Sequence, residues 1–174
     1  MSAATNLYLL RVVHVAVGAI WVGTVVFIAA FLVPSVRAAG PAGGAVMQQL
    51  MQHRRLPLWI MAAALLTVLS GLALYGLNSA GFRSEWLGSG PGRMYGLGAV
   101  CALLAVGVGL AVNSPAARRL GELSARVQAA GRPPDPDEVA TIRRLQARLA
   151  GGSVGAAVLL VLATVAMAVA RYVP

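Results

Sequence analysis

The sequence predicts an all-α integral membrane protein, a four-helix bundle with short surface helices on one side, and three observations predict it. Of 174 residues, 59 % are hydrophobic and only 11 % are charged, whereas a soluble domain carries about 25 % charged residues because its surface faces water. Mean hydropathy is +0.78. Four apolar segments, at about 7–33, 56–77, 94–112 and 154–170, match the length of about 20 residues that crosses a hydrocarbon core. The chain is a single membrane domain, 1–174, with a helical connection over about 114–150 outside the apolar layer.

Taken in order, the first segment holds two ionisable groups, Arg11 and His14, both near its start, and Pro34 is expected to close it. It lacks the basic leader and small-residue cleavage pattern of a signal peptide and runs too long for one, so it reads as a retained span. In the first loop, Val46, Met47, Leu50 and Met51 share one helical face and predict a short amphipathic helix. The second span begins at Pro57, where a missing N–H has no partner to lose. After the third, Ser114-Pro115 reads as an N-cap with proline at the first helical position, and Gly131 as a stop. Asp135-Pro136-Asp137-Glu138 repeats the start signal at capping-box spacing. Two short surface helices, about 115–130 and 136–149, are therefore expected. The fourth span ends on Arg171 and Tyr172, suited to the headgroup level. No internal repeat is present.

The net charge of +9 comes from 14 basic residues, every one an arginine. Most flank apolar runs instead of forming a basic face interleaved with aromatics. Anionic lipid headgroups account for them, and nucleic acid is not an expected partner. Ten lie in two loops on one side: Arg37, Arg54 and Arg55, then Arg118, Arg119, Arg126, Arg132, Arg143, Arg144 and Arg148. The positive-inside rule makes that side cytoplasmic. A multi-pass protein of a bacterial cytoplasmic membrane is expected, with both termini outside. The lone Cys101 excludes an internal disulfide.

An ionisable residue inside a span is a functional candidate, because its burial in hydrocarbon must be offset by partners. His14 lies about 10 Å below the outer end by helix rise. Gly18 and Trp21 follow on the same face in the pattern His14-x3-Gly18-x2-Trp21-x-Gly23. An imidazole beside an unobstructed glycine suits a macrocycle such as haem. On spacing alone, a histidine bonded across the bundle with Gly18 permitting close helix approach is equally good. Arg11, Arg93 and Arg171 gather with Tyr95 and Tyr172 at the same outer end, where guanidinium groups would meet haem propionates. Ordinary headgroup anchoring is the alternative for them. Met167 and Cys101 lie at a depth similar to His14, and methionine can oppose histidine as an axial ligand. His53 is on the other side, so one haem cannot take both histidines. Met47-x3-Met51-x-His53 offers two thioethers and an imidazole, a soft set that suits Cu(I). No span holds an acidic residue, which argues against a carboxylate proton relay.

The stretch Leu10-Arg-Val-Val-His14-Val-Ala-Val-Gly18-Ala-Ile-Trp21-Val-Gly23 resembles the first helix of a broad bacterial superfamily. That superfamily includes the copper resistance protein D domain and the HemJ-type protoporphyrinogen oxidases. Arg54-Arg55-Leu56-Pro57, Thr67-Val-Leu-Ser70-Gly71 and Met167-Ala-Val-Ala-Arg171-Tyr172 are similar to these proteins too. The likeness covers most of the membrane region but not the long third loop. It implies a four-helix bundle in which the first-helix histidine, here His14, ligates haem b in the HemJ branch. HemJ-type enzymes carry a lysine in the third helix; this chain has none, and Arg93 is the nearest substitute. An arginine stays charged and cannot exchange a proton as lysine does, which argues against protoporphyrinogen oxidation.

The function expected is haem b binding for electron transfer or a small membrane oxidoreductase. The partners expected are the lipid bilayer, with a redox partner or a second copy of the chain. Copper handling without haem, or a structural role in a larger membrane complex, are the alternatives.

Overall fold

In the computed structural model, residues 3–174 are described, with side chains at all of these positions except 3, 4 and 41. The first span runs as α1 (Ala3–Phe27), a π turn (Ile28–Leu32) and α2 (Val33–Ala38). α3 (Pro41–Gln48) and a second π turn (Gln49–His53) form the first loop. The second span is α4 (Leu56–Asn78), and the short α5 (Ser84–Gly88) follows it. The third span is α6 (Gly90–Val108), continued by a π turn (Gly109–Asn113) into α7 (Ser114–Ala129). The fourth is α8 (Pro136–Val169), closing in a 3₁₀ turn (Ala170–Tyr172). The all-α bundle and its four membrane-length helices stand as expected.

Two prolines fail to stop the helices they were expected to end or begin. The helix continues through Pro34, and through Pro115, each preceded directly by a π turn. The Val33 N–H bonds back to the Ile28 carbonyl, and the Ser114 N–H to the Gly109 carbonyl, five residues earlier in both cases. Proline lacks a donor and crowds the carbonyl four residues back. A π turn changes the bonding register just ahead of it, so the missing donor falls where the ladder is already being reset. The surface helices expected at 115–130 and 136–149 therefore exist, but not as separate elements. The first continues the third span and the second is the beginning of α8.

Local start and stop signals elsewhere act as read. Asp135 caps α8 through a full capping box: its carboxylate accepts from the Glu138 N–H at 2.8 Å, and Glu138 accepts from the Asp135 N–H at 2.9 Å. Gly131, with φ +62°, follows the end of α7. The amphipathic loop helix also forms, as α3 and its π turn, with Met47, Leu50 and Met51 half-buried but Val46 exposed. Arg55 takes a left-handed conformation, φ 51°, that separates this loop from α4.

Around the bundle, α4 lies between α1 and α6, and α8 lies between the same two helices on the other side. The centre is small except for one ring. The Trp21 indole is buried among Ala64, Ala105, Ala156 and Leu160, one or more from each of the other spans. Alanines at those positions leave the volume that an indole fills, a match of large to small that dense packing requires. The outer surface carries exposed large apolar side chains along every span, such as Val12, Leu65, Leu103 and Val158. Such a surface suits lipid, not water. α7 and the first turns of α8 pack as an antiparallel hairpin beyond the apolar layer. Ala116 and Leu123 of α7 are buried in it, as is Leu145 of α8. The Arg37 guanidinium at the end of α2 donates to the Gln146 carbonyl, tying the first span to the base of this hairpin.

Candidate functional site

His14 faces α4. Its Nδ1 lies 2.9 Å from the Thr67 carbonyl oxygen and 3.3 Å from the Ser70 hydroxyl. A carbonyl oxygen can only accept, so Nδ1 carries the proton. The Ser70 hydroxyl donates to the Leu66 carbonyl at 2.6 Å, which leaves its lone pairs facing the imidazole as a second acceptor. In the neutral ring, Nε2 then holds a free lone pair, and no described residue donates to it. A backbone carbonyl on one ring nitrogen fixes the tautomer and aims the other, the arrangement that orients ligating histidines.

Gly71 makes the room. A Cβ there would stand 2.7 Å from His14 Cε1 and 3.2 Å from Nδ1. Gly18 faces α4 as well: a Cβ on it would meet the Thr67 methyl at 3.3 Å. The open patch that the sequence offers beside His14 is thus covered by Thr67, and Gly18 serves close approach of α1 to α4. Trp21, one further turn along, is 4 % exposed and belongs to the core. On the lipid side of the same seam runs an apolar groove of about 340 Å³, lined by Val17, Trp21, Thr24, Ile60, Ala63 and Leu66 among others. The groove begins one turn from the imidazole, at Val17 and Leu66, and runs away from it toward Thr24 and Leu56; His14 does not line it.

The remaining residues expected at the site are spread around the outer end. Arg11 and Arg93 are exposed and neither bonds to His14. Arg171 folds onto its neighbour, donating to the Tyr172 hydroxyl and lying 4.7 Å over that ring. Met167 packs on α6, where a Cβ at Gly98 would meet its Cγ at 2.8 Å. His14 and Met167 thus occupy two different helix seams. On the opposite side, Met47 and Met51 are half-buried and His53 is exposed. Among the described residues no group of three or more His, Cys, Asp or Glu side chains could hold a metal ion.

Thr67, Ser70 and Gly71 are the partners that the spacing argument around His14 left out. Depth could have found them: Gly71 lies seven residues from the end of α4 at Asn78, and His14 seven residues from Leu7. Antiparallel neighbours bring those positions level.

No family model matches the chain, and no curated protein and no solved structure matches it significantly.

Proposed function

We propose that this is a haem-b-binding membrane protein in which His14 Nε2 is the iron ligand, serving electron transfer or a small membrane oxidoreductase. The observation that carries the proposal is the hydrogen bond from His14 Nδ1–H to the Thr67 carbonyl. In the neutral ring it leaves Nε2 with a free lone pair, offered from inside a span. Bound there, haem would supply one-electron chemistry. The chain's own part is to hold the imidazole: Thr67 and Ser70 orient it, Gly71 gives it space, and lipid and α4 keep water from it. Arg11 and Arg93 stand at the same end as cations for the propionates. On this reading the arginine-rich side is cytoplasmic, and the site lies toward the opposite face of a bacterial cytoplasmic membrane.

Protein purified from haem-replete cells is expected to show a Soret band that His14→Ala abolishes and Met167→Ala leaves in place. Colourless wild-type protein would overturn the proposal. If that colourless protein binds Cu(I) through Met47, Met51 and His53, copper handling takes its place.

A further inference from the structure

The apolar groove between α1 and α4 occupies one half of the membrane layer. It starts at Val17 and Leu66 and ends at Thr24 and Leu56. The helical rise makes the distance from Leu66 to Leu56 about 15 Å, half of a hydrocarbon core about 30 Å thick. Directly beyond Leu56 stand Arg55 and Arg54, both exposed. Among the described residues the only ion pairs belong to Arg132, and no side chain or carbonyl accepts from the guanidinium group of Arg54 or Arg55.

Nothing nearby in the chain offsets this pair. The loop that carries it, 34–55, holds three arginines and no acidic residue. The third, Arg37, donates to the Gln146 carbonyl. Of the five carboxylates in the chain, Glu85 lies past the far end of α4. The other four line the groove between α7 and α8, where four arginines already face them. Arg55 also holds a left-handed conformation, φ 51° and ψ 36°, which glycine adopts freely and a larger residue only with strain. Strain of this kind gathers where a side chain serves more than the turn it sits in. One turn on, Trp59 lines the groove and is 72 % exposed, an indole at the depth where tryptophan meets headgroups.

We propose that the groove and the two arginines form a binding site for one anionic phospholipid, with an acyl chain along the groove and the phosphate between Arg54 and Arg55. The site is independent of His14. Its shape matches a single lipid: apolar for the depth of one leaflet, then cationic. Guanidinium groups present paired N–H donors that match phosphate oxygens. A zwitterionic headgroup carries its own cation beside the phosphate, so two unpaired arginines favour a headgroup with net negative charge. A second copy of the chain fits less well, because its carboxylates are confined to the α7–α8 hairpin and Glu85. The positive-inside rule explains arginines at this level. It does not require a leaflet-deep apolar groove that ends at them.

The test uses the full chain in detergent micelles, titrated with dioleoyl phosphatidylglycerol or dioleoyl phosphatidylcholine and read by native mass spectrometry. Phosphatidylglycerol should bind at least about tenfold more tightly, as two basic side chains at a phosphate imply. Arg54→Gln combined with Arg55→Gly should remove that preference, and glycine suits the backbone at 55, so helicity should be kept. Arg118→Gln combined with Arg143→Gln removes the same charge from the same side, away from the groove, and should leave the preference in place. Ala62→Phe fills the groove without touching the arginines and should weaken phosphatidylglycerol binding too. Should it lose helicity, Ala62→Leu fills less of the groove and should still weaken binding. Equal affinity for the two lipids, or equal loss in both arginine variants, would overturn the proposal. So would wild-type binding by both Ala62 variants, which would reduce the arginines to a general headgroup belt. A wild-type dimer that Ala62→Phe turns into a monomer, with no lipid preference in either, would make the occupant a second copy and overturn it as well.

Discussion

The α1–α4 seam and the α6–α8 seam cross the same apolar layer with different materials. Between α6 and α8 the contacts are small residues against apolar side chains: Gly98 against Met167, with Ala105, Ala156 and Leu160 below. Between α1 and α4 an imidazole, two hydroxyl side chains and two glycines meet instead. Burial follows the same division. In the most apolar window of the first span 6 % of residues are buried within the chain, against 39 % in the fourth. In a bilayer, where lipid is as apolar as leucine, close packing and interhelical hydrogen bonds are what hold helices together. α8 has the packing and acts as the bundle's inner strut. α1 leans on the bundle through a polar seam, and of the four spans it has the smallest share of residues buried within the chain.

Substitutions at the glycines break this contrast most directly. Gly98→Leu puts side-chain atoms where Met167 Cγ and the Ala163 carbonyl lie, at 2.8 and 3.1 Å from the first added carbon. We expect a loss of about 1–3 kcal/mol or more, the usual cost of overpacking, read as reversible unfolding in bicelles. A tolerated leucine would mean that the α6–α8 seam is not the tighter one. Gly71→Ala comes next. Its methyl group stands 2.7 Å from the His14 ring, so the ring must move, at about 1–2 kcal/mol of stability. On the haem proposal, the displaced imidazole should also shift the Soret band, which Gly98→Leu should not. Smallest is Asp135→Ala, which removes the cap of α8 far from either seam. A local cost of about 1 kcal/mol is expected, seen as faster hydrogen exchange over 136–150 with both seams unaffected.

The apolar runs made the four spans legible, because hydrocarbon thickness sets a length that composition alone reveals. Proline and cap signals were legible only locally. At 135–138 the capping box does begin a helix, and at Gly131 the chain does turn. At Pro34 and Pro115 the same kind of signal misleads, since a π turn absorbs the proline. Gly151 and Gly152 do not interrupt α8 either. Packing along α6 and α7 outweighs a propensity cost of about 1 kcal/mol for each glycine, and Gly152 is pressed against the Asn113 side chain on the neighbouring helix. His14 was visible as the only histidine inside a span. Its main partner was not, because the acceptor is the main-chain oxygen of Thr67, whose availability leaves no mark in residue type. The arginines could be assigned to one side, but the hairpin that carries many of them depends on how α7 lies against α8.

Those two helices differ in one mechanical respect. α8 is a single unbroken helix of 34 residues, a rod about 50 Å long that runs from the projecting hairpin to the opposite face. Its companion has a joint, the π turn Gly109–Asn113, at the level where it leaves the apolar layer. A continuous rod and a jointed one bend differently. Bending has no preferred point along α8, whereas the helix made of α6 and α7 has one, at the turn where its bonding register changes.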